Sequence, residues 1–134
     1  MKNIYLTSTF TNPWNVEFNP KIGKALEDRG IICYLPHRDT DQKSGGGGIF
    51  TSDIQGIENS SIIVAVALNE SPNWGAELGY AYAMKKPILA LTDKTHAIPL
   101  ICNGMVTKVL QVENLDLIED YADLLSEEIK KLIA

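Results

Sequence analysis

Two carboxylates, Glu77 and Asp53, have the side-chain type and the setting for covalent chemistry in this chain. Glu77 falls in the opening turns of an expected helix that Asn73 can cap, just beyond an apolar strand expected over 62–68. An acid in that place has two readings. It can simply complement the positive end of the helix dipole, a common arrangement worth roughly a few tenths of a kcal/mol. It can also stand at the mouth of the crevice beyond the strand ends, where open α/β sheets bind their ligands. The neighbours Gly75, Ala76, Gly79, Ala81 and Ala83 are small, which predicts a helix lying close to the sheet and Glu77 left at the crevice. On that reading Glu77 is a nucleophile.

Asp53, taken alone, is a solvated acid midway along an amphipathic helix expected over 49–59. Paired with Glu77 across a crevice it acquires a role, because two carboxylates in unlike environments divide nucleophile from proton donor. Tyr5 lies inside the first strand, where an aromatic ring ordinarily packs under a helix; a hydroxyl reaching the crevice would orient a carboxylate. Phe10, Trp14 and Trp74 flank the same region and suit a stacking slot for a flat ring as well as they suit a core. The hydroxyl-rich loop over 7–12, beginning at Thr7, offers a rival: such loops after a first strand hold the phosphate of a flavin in flavodoxins. Phe10 stands where that pattern wants glycine. His37 and His96 have no partners at metal-ligand spacing, so neither a metal nor a cofactor is expected. Cys33 and Cys102 form no C-x-x-C pair, and no P-loop, G-x-G-x-x-G or nucleophile elbow is present.

The elements that must position these residues follow from periodicity and punctuation. Strands are expected over 2–6, 31–35, 62–68, 88–91 and 107–112, and helices beginning at Asn19-Pro20, over 49–59, from Asn73 to Lys85, and over 115–134. The stretch over 36–48 contains four consecutive glycines and reads as a slack connector or as a flap over a site. Alternating strands and helices predict one α/β domain over 1–134: a doubly wound, flavodoxin-like parallel sheet of five strands, order 2-1-3-4-5, with helices on both faces. Composition agrees, with 134 residues, 45% hydrophobic and 22% charged. A net charge of −5 without a basic block argues against a nucleic-acid polymer as partner. Nothing approaches a membrane span, and the amino terminus runs straight into a strand, so a cytoplasmic protein is expected.

In combination these residues resemble the nucleoside 2-deoxyribosyltransferase family and its relatives, the 2′-deoxynucleoside 5′-phosphate N-hydrolases. The resemblance rests on Gly75-Ala76-Glu77-Leu78-Gly79-Tyr80-Ala81 followed by Lys86-Pro87, on Asp53-Ile54-Gln55-Gly56-Ile57, on Ile4-Tyr5-Leu6, and on Asn103-Gly104-Met105. It implies that Glu77 attacks C1′ of a 2-deoxyribosyl group and forms a covalent glycosyl-enzyme. Tyr5 would hold that carboxylate in line, and Asp53 would bind the base and protonate it as it leaves. The implied substrate contacts are Thr7, Phe10, Trp14, Ser71, Asn73 and Gly75, with Asn103 and Met105 at the late motif. Asn103 would be lent to a neighbouring subunit, which implies a homo-oligomer acting on a nucleoside or nucleotide and a free base, in purine or pyrimidine salvage.

One departure bears on the substrate. Six residues before the nucleophile the transferases carry an aspartate that binds the 5′-hydroxyl, whereas this chain has Ser71, as the nucleotide hydrolases do. Asn103 sits where those hydrolases tend to have serine, and the first loop lacks their arginine. His37 or Arg38 would then have to supply positive charge for a phosphate, and the glycines over 45–48 would be the flap that excludes water.

Overall fold

Alternation along the strands decides what each face of the sheet carries. In the computed structural model, which describes residues 2–134, β1 (Lys2–Thr7), β2 (Cys33–Tyr34), β3 (Ser60–Val66), β4 (Ile88–Asp93) and β5 (Lys108–Val112) form one parallel sheet of order β2-β1-β3-β4-β5. The expected order is the observed one. Successive strand residues point to opposite faces. Ile4 and Leu6 of β1, with Ile62, Val64 and Val66 of β3, join a large aliphatic cluster under α1 (Pro13–Glu27) and α6 (Ile118–Ile133). Tyr5, Ile63 and Ala65 turn the other way, toward α3 (Gly45–Glu58) and α4 (Pro72–Ala83). The alternation therefore delivers Tyr5 to the face that carries Glu77.

Four helix starts differ from expectation, those of α1, α3, α4 and α6. The first helix begins at Pro13, not at Asn19-Pro20. Asn12 caps it, its Oδ1 accepting from Trp14 N at 3.0 Å, with proline in the first turn. The pair Asn19-Pro20 carries the same start signal but lies inside the helix. Asn19 is buried and serves the preceding loop: its Nδ2 donates to Thr9 O at 3.2 Å, and Ser8 Oγ donates to its Oδ1 at 2.6 Å. Proline removes the donor that Val16 O would receive, and Val16 is exposed, so water can serve that carbonyl.

The stretch over 36–48 is not a structureless connector. It holds α2 (Pro36–Asp39), and its glycines form the opening turns of α3. A Cβ at Gly48 would lie 2.4 Å from Ser44 Oγ, so any larger residue there would displace the Ser44 side chain. In α4 the cap is Ser71 rather than Asn73: Ser71 Oγ accepts from Trp74 N at 3.3 Å and Pro72 opens the helix. Lys85, at φ 61, turns the chain out of it. The loop before β5 includes α5 (Leu100–Met105), and α6 starts at Ile118 rather than 115.

Of the small residues expected to bring α4 close to the sheet, Ala81 is fully buried in the apolar layer there, whereas the close approach is not required at Gly75 or Gly79. A Cβ at either would meet open space. At Gly56, on α3, it would lie 3.0 Å from ring atoms of both Tyr5 and Tyr34. Gly56 thus lets α3, and with it Asp53, settle on the two tyrosines of β1 and β2.

Candidate active site

Glu77 stands in the second turn of α4, beyond the carboxyl end of β3, and Tyr5 reaches it from β1. The Tyr5 hydroxyl donates to Glu77 Oε2 at 2.5 Å, while the Tyr5 ring is fully buried. Burial pushes the Glu77 carboxyl up to about 7; the bond from Tyr5 pulls it back, and the negative charge of Asp53 adds to the rise. Tyr5 is held far above the ordinary phenol range, by burial first and then by Glu77, so it remains a donor at any working pH. Charge on Glu77 is thus costly to hold, yet supported by a fixed donor.

Asp53 faces the same space from α3. Burial raises its pKa, while a hydrogen bond from Thr40 Oγ1 to Oδ1 at 2.6 Å and the nearby Tyr5 hydroxyl pull it down. Tyr34 stacks on Tyr5 with ring centroids 5.2 Å apart and planes 13° from parallel. Its hydroxyl lies 2.7 Å from Thr40 Oγ1. Two carboxylates compete for charge in one half-buried space, so protons there belong to the pair rather than to either residue.

The cleft between α3 and α4 has two connected parts that share Ile49, Asp53, Asn73 and Glu77. The narrow part, about 130 Å³, runs under the β1–α1 loop past Ser8, Phe10, Pro36, Ser71 and Trp74. The broad part, about 710 Å³, opens along Phe50, Ile54, Ala76 and Tyr80 and is mostly apolar. It has the size and character of a pocket for a flat ring.

Of the residues singled out from sequence, Glu77, Asp53, Tyr5, Ser71, Asn73 and Phe10 come together here. Thr7 is buried at the end of β1 with its Oγ1 unpaired. Trp14 is elsewhere: it stacks on Phe18 at 4.5 Å, and its Nε1 donates to Asp116 Oδ1 at 2.8 Å. Gly75 does not line the cleft, and Arg38 is committed to Glu27 and Asp39, so it offers no free charge to a phosphate. His37 is half-buried on α2, with its pKa lowered by burial, and lines neither part. Asn103 is exposed on α5 and Met105 packs against the apolar layer under α4, both outside the cleft of their own chain. Thr40, Tyr34 and Ile49 belong to the site without having been picked out. Nothing in the order of residues links a threonine after β2 to an aspartate on the next helix.

The flavin-loop alternative meets a specific obstacle. Ser8 Oγ donates to Asn19 and accepts from Asn15, Thr9 Oγ1 accepts from Ser71 N, and Asn12 caps α1. These three side chains are spent on bonds within the protein. Among the described residues no group of three or more His, Cys, Asp or Glu is arranged to hold a metal ion, and His96 instead pairs with Glu70 at 2.8 Å. Among the described residues no helix is long and apolar enough to cross a membrane.

A doubly wound parallel sheet with two carboxylates at its carboxyl edge, one of them bonded by a strand tyrosine, defines a flavodoxin-like α/β protein with a candidate active site at that edge. The model of the nucleoside 2-deoxyribosyltransferase family matches residues 4–124, and the chain belongs to that family. Membership marks it as an enzyme of the nucleoside deoxyribosyltransferase class. No curated protein matches the sequence. Among solved structures it is similar to a conserved protein from Enterococcus faecalis V583, 19% identical, TM-score 0.78, with 98% of each chain covered. It is also similar to a 2-deoxyribosyltransferase from Bacillus psychrosaccharolyticus, 20% identical, TM-score 0.72, covering 89% of this chain and 91% of the other. A CMP N-glycosidase from Clostridium botulinum is 17% identical, TM-score 0.67, with 92% and 98% covered. At these identities the likenesses bear on the fold.

Proposed function

We propose that this protein cleaves the bond between base and deoxyribose in 2′-deoxynucleosides and transfers the sugar to another base through Glu77. The observation that carries the reading is the 2.5 Å bond from Tyr5 to Glu77 Oε2 at the mouth of the cleft that Asp53 also faces. Ionised Glu77 attacks C1′, and the electron pair of the N-glycosidic bond leaves with the base. The base nitrogen takes a proton from neutral Asp53. In the return step an acceptor base attacks C1′, expels Glu77 and gives its proton to Asp53. Two displacements retain configuration at C1′. Tyr5 holds the unused oxygen of Glu77 so that the other points at the sugar, and the apolar broad cleft takes the base. Nothing in this sequence of steps calls for a cofactor.

A second reading, hydrolysis of 2′-deoxynucleoside 5′-monophosphates by the same residues, is favoured by Ser71. That residue caps α4 at its positive end and lines the narrow cleft, where a serine tolerates a phosphate that an aspartate would repel. Incubation with deoxyinosine and free adenine, and separately with deoxynucleoside monophosphates, separates the two. Deoxyadenosine appearing in the first mixture supports transfer, and free base released in the second supports hydrolysis. Failure of both, or full activity in Glu77→Ala, overturns the mechanism.

The reading includes a homo-oligomer. Asn103 is exposed on α5 beside Leu100 and Ile101, which are 88% and 76% exposed, and a second copy covering this apolar edge would receive Asn103 at its own cleft. Salvage of bases in the cytoplasm is the setting such an enzyme suits.

A further inference from the structure

Asp53 is held by groups to which the proposed reaction assigns no part. Thr40 Oγ1 lies 2.6 Å from Asp53 Oδ1, and Tyr34 Oη lies 2.7 Å from the same threonine oxygen and 3.3 Å from Ser52 O. Thr40 is 4% exposed. Each hydroxyl has one proton to give. With the threonine proton directed at the aspartate, the 2.7 Å contact takes the Tyr34 proton in preference to the longer one to Ser52 O, so the chain runs from Tyr34 through Thr40 to Asp53. Its far end is immobilised, because the Tyr34 ring is stacked on Tyr5 and lies against Gly56. Its middle is immobilised too. Thr40 N donates to Pro36 O at 3.3 Å, Gln42 Nε2 donates to both Pro36 O and Thr40 O, and Arg38 ties α2 to Glu27.

We propose that Thr40, oriented by Tyr34, is the positioning residue for Asp53 as proton donor, engaging Oδ1 so that the proton exchanged with the base rides on Oδ2. The proposal rests on the glycosidic reading above. When Oδ2 gives its proton to the base nitrogen, the new negative charge on Asp53 meets a donor already in place, and nothing needs to reorient. When the acceptor base returns a proton, Oδ2 receives it and the Thr40 bond persists. Every proton is accounted for without a further co-reactant. Groups facing Asp53 are Tyr5 from β1, Tyr34 from β2, Thr40 after α2 and Glu77 from α4. Of these, Thr40 is the one that donates to it directly without also serving Glu77.

Thr40→Val keeps the branched shape and removes the donor; Thr40→Ser keeps the donor; Tyr34→Phe keeps the stacked ring and removes its hydroxyl. The test follows the Asp53 carboxyl carbon by NMR titration in the full-length protein, and the pH profile of kcat/KM with a nucleoside the wild type cleaves. Losing a hydrogen bond to the charged form raises the apparent pKa of Asp53, by about one unit in Thr40→Val and less in Tyr34→Phe. The alkaline limb of kcat/KM moves up with it. The maximum falls roughly tenfold, because the carboxyl is no longer aimed. Thr40→Ser returns both titration and rate to near wild type. An Asp53 titration that Thr40→Val leaves in place, or Thr40→Ser as impaired as Thr40→Val, overturns the assignment while the glycosidic reading stands. A wild-type protein that turns over neither nucleosides nor nucleotides overturns the glycosidic reading, and the proton-transfer role with it.

Discussion

Tyr5 and Glu77, 72 residues apart in the chain, are joined by a 2.5 Å hydrogen bond between the second strand-face of β1 and the second turn of α4. The donor is fully buried and its pKa lies far above the ordinary range, so the proton stays with the phenol and the bond favours an ionised Glu77. Tyr5→Phe removes that support. The apparent pKa of Glu77 should then rise above about 7, carrying the acid limb of kcat/KM to higher pH. Loss of a hydrogen bond to a charged group should lower kcat/KM by about ten- to a hundredfold. A pH–rate profile of the variant checks both, and an acid limb that stays in place counts against the role given to Tyr5.

Glu77 should also cost the fold something at neutral pH. Its carboxyl titrates near 7 in the folded chain and near 4.5 in the unfolded one, so between those values the native state keeps a proton that the unfolded state has released. Stability therefore falls as pH rises through that window and stays lower above it. Glu77→Gln removes the penalty. The variant should be more stable than wild type at pH 8 by roughly 1–3 kcal/mol, with the difference gone by about pH 4. Urea unfolding at the two pH values decides it, and an equal difference at both would mean the gain has another source.

Glycines in α3 should respond to alanine in opposite directions. At Gly56 the added Cβ would lie 3.0 Å from rings that are stacked on each other and backed by the sheet. Overpacking there should outweigh the better helix propensity, for a net loss of about 1–2 kcal/mol, with reduced activity as Asp53 is displaced. At Gly47 a Cβ meets open space, and Gly47→Ala should add up to about 1 kcal/mol. Thermal unfolding of the two variants side by side is the measurement.

Asn103 gives a prediction that a monomer cannot satisfy. If it serves a neighbour's cleft, Glu77→Ala and Asn103→Ala proteins are each inactive, and mixing them under conditions that exchange subunits restores turnover. Ile101→Asp, on the same exposed edge of α5, should shift the assembly toward monomer in light scattering and lower activity in parallel. Mixed variants that stay inactive after exchange would place Asn103 outside the neighbour's site.

Fold class and strand order were legible in the sequence because continuous apolar runs alternating with amphipathic stretches permit few right-handed parallel arrangements. Glu77 was legible for the same reason, since the element order alone places the turn after β3 at the crevice. Helix starts were less so. Asn12-Pro13 and Asn19-Pro20 carry the same signal, and only the side-chain bonds of buried Asn19 to the β1–α1 loop show which pair opens the helix. The glycine run gave no hint of α3's first turns, because glycine states no preference of its own and the helix is anchored from Ile49 onward. Trp14 and Phe10 looked alike as loop aromatics, yet one packs on Phe18 and the other lines the cleft.

What the order of residues determined by itself was the sheet, the crevice and the presence of two acids near it. Periodicity and punctuation are local, and local rules carry that far. What only the tertiary structure decided was how those acids are held: Tyr5 on Glu77, and Tyr34 through Thr40 on Asp53. These contacts bring together residues from β1, β2, the loop after α2, α3 and α4. Their geometry depends on how closely α3 settles at Gly56, and close packing between distant segments leaves no periodic trace in the chain.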